Sequence, residues 1–315
     1  MSILKKALAA AVVAGLVSTV GVFPANAAPK NQARSVAQPD WLEANLDNPK
    51  VRIIEVSTEP GIYERGHIKN AIKFVWHTDL VDTVNRDIIN AKNFSKLVQK
   101  AGISDDTTVV LYGDKNNWFA AWGAWIFNIY GQKDVRVLDG GRVKWEKDGR
   151  ALTTAVPTFS AGNFVATKAD KAIRATLIND VLPVAKKRVK ADLVDIRGAD
   201  EYNGKIFAAP GFQELSVRAG HIPGAVNVPW GANVNADGTF KTVAELKKLY
   251  ADKGIDGKQN IITYCRIGER SSLTWFVLSE ILGYNVKNYD GSWTEYGNSV
   301  GVPIVNNAGT IWGAA

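Results

Sequence analysis

One stretch of this chain occurs twice, in register. Gly66-His67-Ile68-Lys69-Asn70-Ala71-Ile72-Lys73-Phe74-Val75-Trp76 aligns without a gap on Gly220-His221-Ile222-Pro223-Gly224-Ala225-Val226-Asn227-Val228-Pro229-Trp230. A short β-branched run precedes each copy, at 51–56 and 192–196. Each is followed by a helix-type segment, a second strand at 109–112 or 261–264, a loop, an apolar helix at 118–130 or 271–282, and a strand ending in Asp-Gly at Asp139-Gly140 or Asp290-Gly291. The register holds across the loop, because Asp114 to Asp139 and Cys265 to Asp290 both span 25 positions. Strands alternating with helices at this pitch predict an α/β fold of two similar domains, each a parallel sheet with helices on both faces. Ligands in such sheets bind beyond the carboxyl ends of the strands, where the loop after Tyr264 lies.

The boundaries follow from composition. Lys5 and Lys6, an uncharged apolar stretch over 7–23 and Ala25-Asn26-Ala27 form the pattern of a secretory signal, so residues 1–27 are expected to be removed after Ala27. No cysteine near that site permits lipid attachment. The mature chain then holds 288 of the 315 residues, enough for two domains, and loses two of its seven net positive charges. A polar leader over 28–39 precedes a first domain at 40–152. A Thr-, Ala-, Pro- and Gly-rich linker at 153–162 leads to a second domain at 163–310. The charge is scattered. The densest basic run, Lys186-Lys187-Arg188, fits a solvated helix end and not a nucleic-acid surface. No other segment is long and apolar enough to span a bilayer, so no membrane association is expected after cleavage, and the internal pair of domains suits a monomer. The three histidines, His67, His77 and His221, are scattered, which argues against a metal site, and no cofactor is expected.

Cys265 is the only cysteine. In an exported chain, periplasmic or extracellular, a lone cysteine is either a leftover or a reactive thiol. Its setting, Tyr264-Cys265-Arg266-Ile267-Gly268-Glu269-Arg270-Ser271, is a strand delivering a thiol into a turn with a helix behind it. Helix-start amides and adjacent arginines can lower a thiol pKa from ~8.5 into the range of roughly 3.5 to 7.5. Gly268 lets the backbone curl so that its amides face inward, and Arg266 and Arg270 offer forked donors to an oxyanion. Taken singly, Gly268 also reads as a turn glycine, either arginine as a solvated helix-start residue, Ser271 as a first-turn residue, and Glu269 as an arginine partner. In the first half, Asp114-Lys115-Asn116-Asn117 stands in register, so a carboxylate replaces the thiol and the nucleophile is absent there.

These motifs, together with Tyr289-Asp290-Gly291-Ser292-Trp293-Thr294-Glu295-Tyr296-Gly297, resemble the rhodanese family, specifically the tandem-domain, secreted-type thiosulfate sulfurtransferases. The resemblance spans essentially the whole mature chain. It implies an inactive first domain and an active second one. Cys265 would take the outer sulfur of thiosulfate, release sulfite and hold a persulfide until cyanide or a thiol removes it. The loop residues Arg266, Ile267, Gly268, Glu269, Arg270 and Ser271 would bind substrate, with Asp195 and Arg197 bracing the loop and His67 and His221 structural. Arginine directly after the cysteine resembles thiosulfate users, where mercaptopyruvate users carry glycine. Ile267 departs from a lysine common in animal-type relatives, and the cation they place before the aromatic after Asp-x-Arg is missing at Glu201-Tyr202. A persulfide carrier and a 3-mercaptopyruvate sulfurtransferase are the alternatives. Cysteine phosphatases place arginine six positions after the cysteine, and here that position is Ser271.

Overall fold

Strands such as Val51–Glu55 and Ile261–Tyr264 are buried at every position, on both sides of the pleat, so both faces of their sheets are covered. The computed structural model of the chain describes residues 32–213 and 215–313, and the expected leader at 1–27 lies outside the described residues. The first half contains β1 (Val36–Ala37), β2 (Val51–Glu55), β3 (Ala71–Lys73), a small antiparallel hairpin of β4 (Val81–Asp82) and β5 (Asp87–Ile88), helix α1 (Ala91–Lys100), β6 (Thr108–Tyr112), α2 (Trp118–Ile129), β7 (Asp134–Leu138) and α3 (Gly141–Lys147). The second contains β8 (Asp192–Asp195), β9 (Ala225–Asn227), α4 (Val243–Ala251), β10 (Ile261–Tyr264), α5 (Glu269–Trp275), β11 (Val286–Asn288) and α6 (Ser292–Asn298). Beyond α5 the helix continues with a wider turn over Phe276–Ile281. Side-chain caps fix two helix starts: Asn90 accepts the Asn93 amide at α1, and Thr242 with Glu245 forms a reciprocal box at α4.

Both halves build the same parallel sheet, ordered β7-β6-β2-β3 and β11-β10-β8-β9, with β1 added at the outer edge of the first. The α/β architecture expected from the repeat is the one observed. The helices after the two central strands set how the halves meet. α2 carries no charged residue, and ten of its twelve positions are buried. A helix apolar all round must be enclosed. It lies on β6 and β7 of its own sheet and against α5, which in turn covers β10 and β11, giving the layers sheet, helix, helix, sheet. Trp118 of α2 meets Trp230 of the second half edge-on at 4.6 Å, while Trp122 packs against Trp76 and Trp125. The connection over 154–173 has no regular helix or extended strand. It runs along the first half through Gly162 to Gln99, Phe164 to Ile103 and Thr167 to Tyr130, and then joins β11 through Asn288.

At the end of β2 and of β8 each half buries an ion pair, but with the arginine supplied from different places. In the first, Arg142 of α3 meets Glu55 at 2.9 Å and donates to the Gly66 carbonyl at 2.5 Å. In the second, Arg197 meets Asp195 at 2.6 Å and donates to the equivalent Gly220 carbonyl at 2.6 Å. The position in register with Arg142 is Trp293, whose ring lies 4.6 Å from the Arg197 guanidinium carbon. Tyr112 and Tyr264 complete the motif by accepting the amides of Ile68 and Ile222. His67 and His221 stack on Tyr63 and Tyr202 and bond their carbonyls, which are structural roles. Removing one partner of a pair this deeply buried leaves an uncompensated charge. Arg197→Leu is therefore expected to cost about 3–5 kcal/mol in denaturant unfolding, whereas breaking the exposed Lys248–Asp252 pair leaves the midpoint unchanged.

Candidate active site

Strand β10 ends at Tyr264, and Cys265 begins the turn into α5. Its sulfur is fully buried and accepts the Gly268 N–H at 3.0 Å. Gly268 sits at φ +101°, and a Cβ there would come within 2.7 Å of both the Asp290 Cα and the Trp122 ring. Glycine is thus required by conformation and by space. Its carbonyl, on the following peptide unit, accepts Ser272 Oγ at 2.7 Å, the Ser272 amide at 3.1 Å and Asn288 Nδ2 at 3.4 Å, which anchors the first turn of α5 behind the loop. Ser271 Oγ lies 2.6 Å from Asn288 Oδ1 and 3.0 Å from the same carbonyl.

Two further supports come from outside the loop. Ser292, at φ +52° where the first half has Gly141 at φ +55°, accepts the Cys265 amide at 3.1 Å and places its hydroxyl 4.0 Å from the sulfur. Arg86, at the tip of the β4–β5 hairpin in the other half, donates to the Ile267 carbonyl at 2.6 Å and the Asp290 carbonyl at 3.2 Å. Asp290 is itself gripped by Arg174 through two bonds of 3.0 and 2.9 Å. A cavity of about 370 Å³ bounded by Arg86, Arg174, Asp290 and Thr294 lies beside this support without reaching Cys265.

The charges around the sulfur differ from the expected two-arginine collar. Arg266 points to the rim, donating to the Gln213 carbonyl at 3.1 Å with its guanidinium 5.2 Å from the Phe212 ring. Arg270 is buried, but Glu201 from the β8–β9 connection takes its guanidinium at 3.3 and 3.5 Å. Its Nε lies 3.8 Å from Glu269 Oε1 and makes no hydrogen bond among the described residues. Glu269, read from the sequence as an arginine partner and, by resemblance, a substrate-binding loop residue, places Oε2 3.5 Å from the Cys265 sulfur. The expectation of a lowered thiol pKa is accordingly reversed. Burial pushes the Cys265 thiol up, the Glu269 charge adds to that, and Arg270 with the Ser271 amide and hydroxyl pulls only partly against it.

The register position in the first half behaves differently. The Asp114 carboxylate turns away from its own loop to accept the amides of Thr58 at 3.1 Å and Glu59 at 2.8 Å. Lys115, Asn116 and Asn117 all adopt left-handed backbone, so no cradle forms behind Asp114. Of the predicted residues, Cys265, Gly268, Glu269, Arg270 and Ser271 come together, Ile267 contributes its carbonyl to Arg86, Arg266 stands at the rim, and Asp195 with Arg197 braces the end of β8. Sequence reasoning missed Glu201, Asn288, Ser292 and Arg86. Ser292 alone had a signal, its register with a left-handed glycine. Among the described residues no cluster of His, Cys, Asp and Glu could hold a metal, and no helix is long and apolar enough to cross a membrane.

Comparison with known proteins gives a consistent outcome. The rhodanese-like domain family matches twice, over 38–148 and 182–299. A protein of Mycolicibacterium smegmatis provisionally named a thiosulfate sulfurtransferase is 52% identical over 267 residues, covering 84% of this chain and 95% of its own. The sulfur carrier protein TtuD of Thermus thermophilus is 52% identical over 269 residues, with 84% and 94% covered. Among solved structures, the 3-mercaptopyruvate sulfotransferase SseA of Escherichia coli superposes with a TM-score of 0.70 at 27% identity, over 82% of this chain and 98% of that one.

The loop geometry predicts that Gly268→Ala costs about 1–3 kcal/mol through the clash with Asp290 and Trp122, and slows alkylation of Cys265 at fixed pH by about tenfold or more as the amide leaves the sulfur. Unchanged alkylation would show that this amide does not govern the thiol.

Proposed function

The chain belongs to the rhodanese family, and we propose that it is a sulfurtransferase that carries sulfane sulfur on Cys265, taking it from thiosulfate and passing it to cyanide or a thiol. The observation that carries this reading is the Cys265 sulfur held 3.0 Å from the Gly268 amide, at the mouth of a helix buried on every side. A persulfide formed there keeps its inner sulfur on that amide. Arg270 Nε, a donor without a hydrogen-bond acceptor among the described residues, is available to the transferred group. Fixed donors beside the site where sulfite departs stabilise the charge that develops on it. Cys265 has no exposed surface, and Phe212 and Gln213 lie against Arg266 and Arg270 at the rim of the loop. Arg266, half-buried at that rim, is placed to attract a small dianion. Its presence directly after Cys265 supports thiosulfate over 3-mercaptopyruvate.

A second reading, in which the chain holds its persulfide for a partner protein, is supported by the Thermus relative, which is named a sulfur carrier protein. Turnover separates the two. The basic, apolar and Ala-x-Ala pattern over 5–27 supports export to the periplasm or beyond, and the single pair of domains supports a monomer.

With thiosulfate and cyanide, the protein is expected to form thiocyanate catalytically, and faster than it forms pyruvate from 3-mercaptopyruvate. Cys265→Ser abolishes this while the chain still folds, since the exchange preserves volume. Asp114→Asn retains the activity and loses about 1–3 kcal/mol of stability from the Thr58–Glu59 turn. A charge of persulfide without steady-state thiocyanate identifies a carrier, and no persulfide at all overturns the proposal.

A further inference from the structure

One buried titratable group beside the nucleophile has no part in the reaction as described so far. Glu269 is 2% exposed, and its Oε2 lies 3.5 Å from the Cys265 sulfur, within reach of an S–H donor. Its ion-pair partner Arg270 stands 3.8 Å away at Nε, beyond hydrogen-bond distance, and gives its terminal nitrogens to Glu201 instead. A carboxylate buried without a close cationic bond is costly. The register of the two halves shows that the fold does not demand one: Trp118 occupies the position of Glu269 where Asp114 replaces the thiol. The carboxylate is thus confined to the half with a sulfur to deprotonate.

From this geometry we infer that Glu269 is a catalytic residue, the base that takes the Cys265 proton as that sulfur attacks its donor and returns it when the transferred sulfur is passed on. The inference rests on the reading of Cys265 as the sulfur-carrying nucleophile. In the first step the Cys265 S–H bond breaks, its proton goes to Glu269, and the thiolate forms a bond to the outer sulfur of thiosulfate. The sulfur–sulfur bond of thiosulfate breaks and sulfite leaves with that electron pair. The products are a persulfide anion, a neutral Glu269 and sulfite, with charge conserved. In the second step cyanide takes the outer sulfur as thiocyanate, the Cys265 thiolate departs, and Glu269 restores its proton. A thiol held up in pKa by burial is a poor nucleophile at neutral pH without such a base. The charged groups facing the pair are Arg270 and, through it, Glu201, with Arg266 at the rim. Arg86 and Arg174 grip the backbone and Asp290 behind the loop.

The test is a pH profile in two arms, alkylation of Cys265 by iodoacetamide and the single-turnover release of sulfite from thiosulfate. With the proton passing inside the site, the wild-type rate in both arms is expected to stay level between about pH 6 and 8. Glu269→Gln, which keeps shape and removes the base, is expected to be slower by about tenfold or more at pH 6 and to gain about tenfold per pH unit until it approaches wild type. Glu269→Asp should keep the level profile at a reduced rate. A wild-type alkylation rate that itself climbs tenfold per pH unit overturns the inference without any variant, and so does a Glu269→Gln profile parallel to wild type. A level alkylation profile without sulfite release leaves the base in place and refutes thiosulfate as the donor.

Discussion

A single backbone amide, that of Gly268 against the Cys265 sulfur at 3.0 Å, is the contact around which the second half is arranged. The peptide that carries it is held at its other end, the Ile267 carbonyl, by Arg86, and glycine alone fits between Asp290 and Trp122. Trp122 belongs to the first half. So does Arg86, which fixes the Ile267 carbonyl from the hairpin tip. The first half therefore supplies one wall and one tether of the Cys265 loop, a physical reason for its presence beside the second.

Charge around the sulfur is balanced in pairs and not assembled into a positive ring. Arg270 answers Glu201, Asp195 answers Arg197, and Arg174 answers Asp290, each pair buried or nearly so. Pairing of this kind limits the cost of burial but leaves little net positive field to ionise a thiol. Burial, with the Glu269 charge beside it, accordingly pushes the Cys265 thiol up.

Much of the architecture was legible because the chain states it twice. The in-register repeat placed both central strands, and the apolar run at 118–130 marked a helix, which the structure encloses between the halves. The loop from Cys265 to Ser271 was legible as a site because it is local, with every member within seven positions. What stayed hidden were partners brought in from afar. Glu201, 69 positions before Arg270, takes that guanidinium, and the depth of burial that pushes the thiol up is equally set by distant packing. The buried arginine at the strand end shows the same limit. Asp-x-Arg announced Arg197, while its counterpart Arg142 comes from a helix 87 positions beyond Glu55, and no local pattern connects the two. Side-chain direction at a helix start is set by whichever charge packs against it, and that is a property of tertiary structure.

The most direct examination of the account is to follow the sulfur itself. The protein is incubated with thiosulfate labelled in its outer sulfur, freed of excess donor and digested without reductant. The account predicts one label per chain, on the peptide containing Cys265, that leaves as labelled thiocyanate when cyanide is added. Label on no peptide, or label that persists in the Cys265→Ser protein, would contradict it.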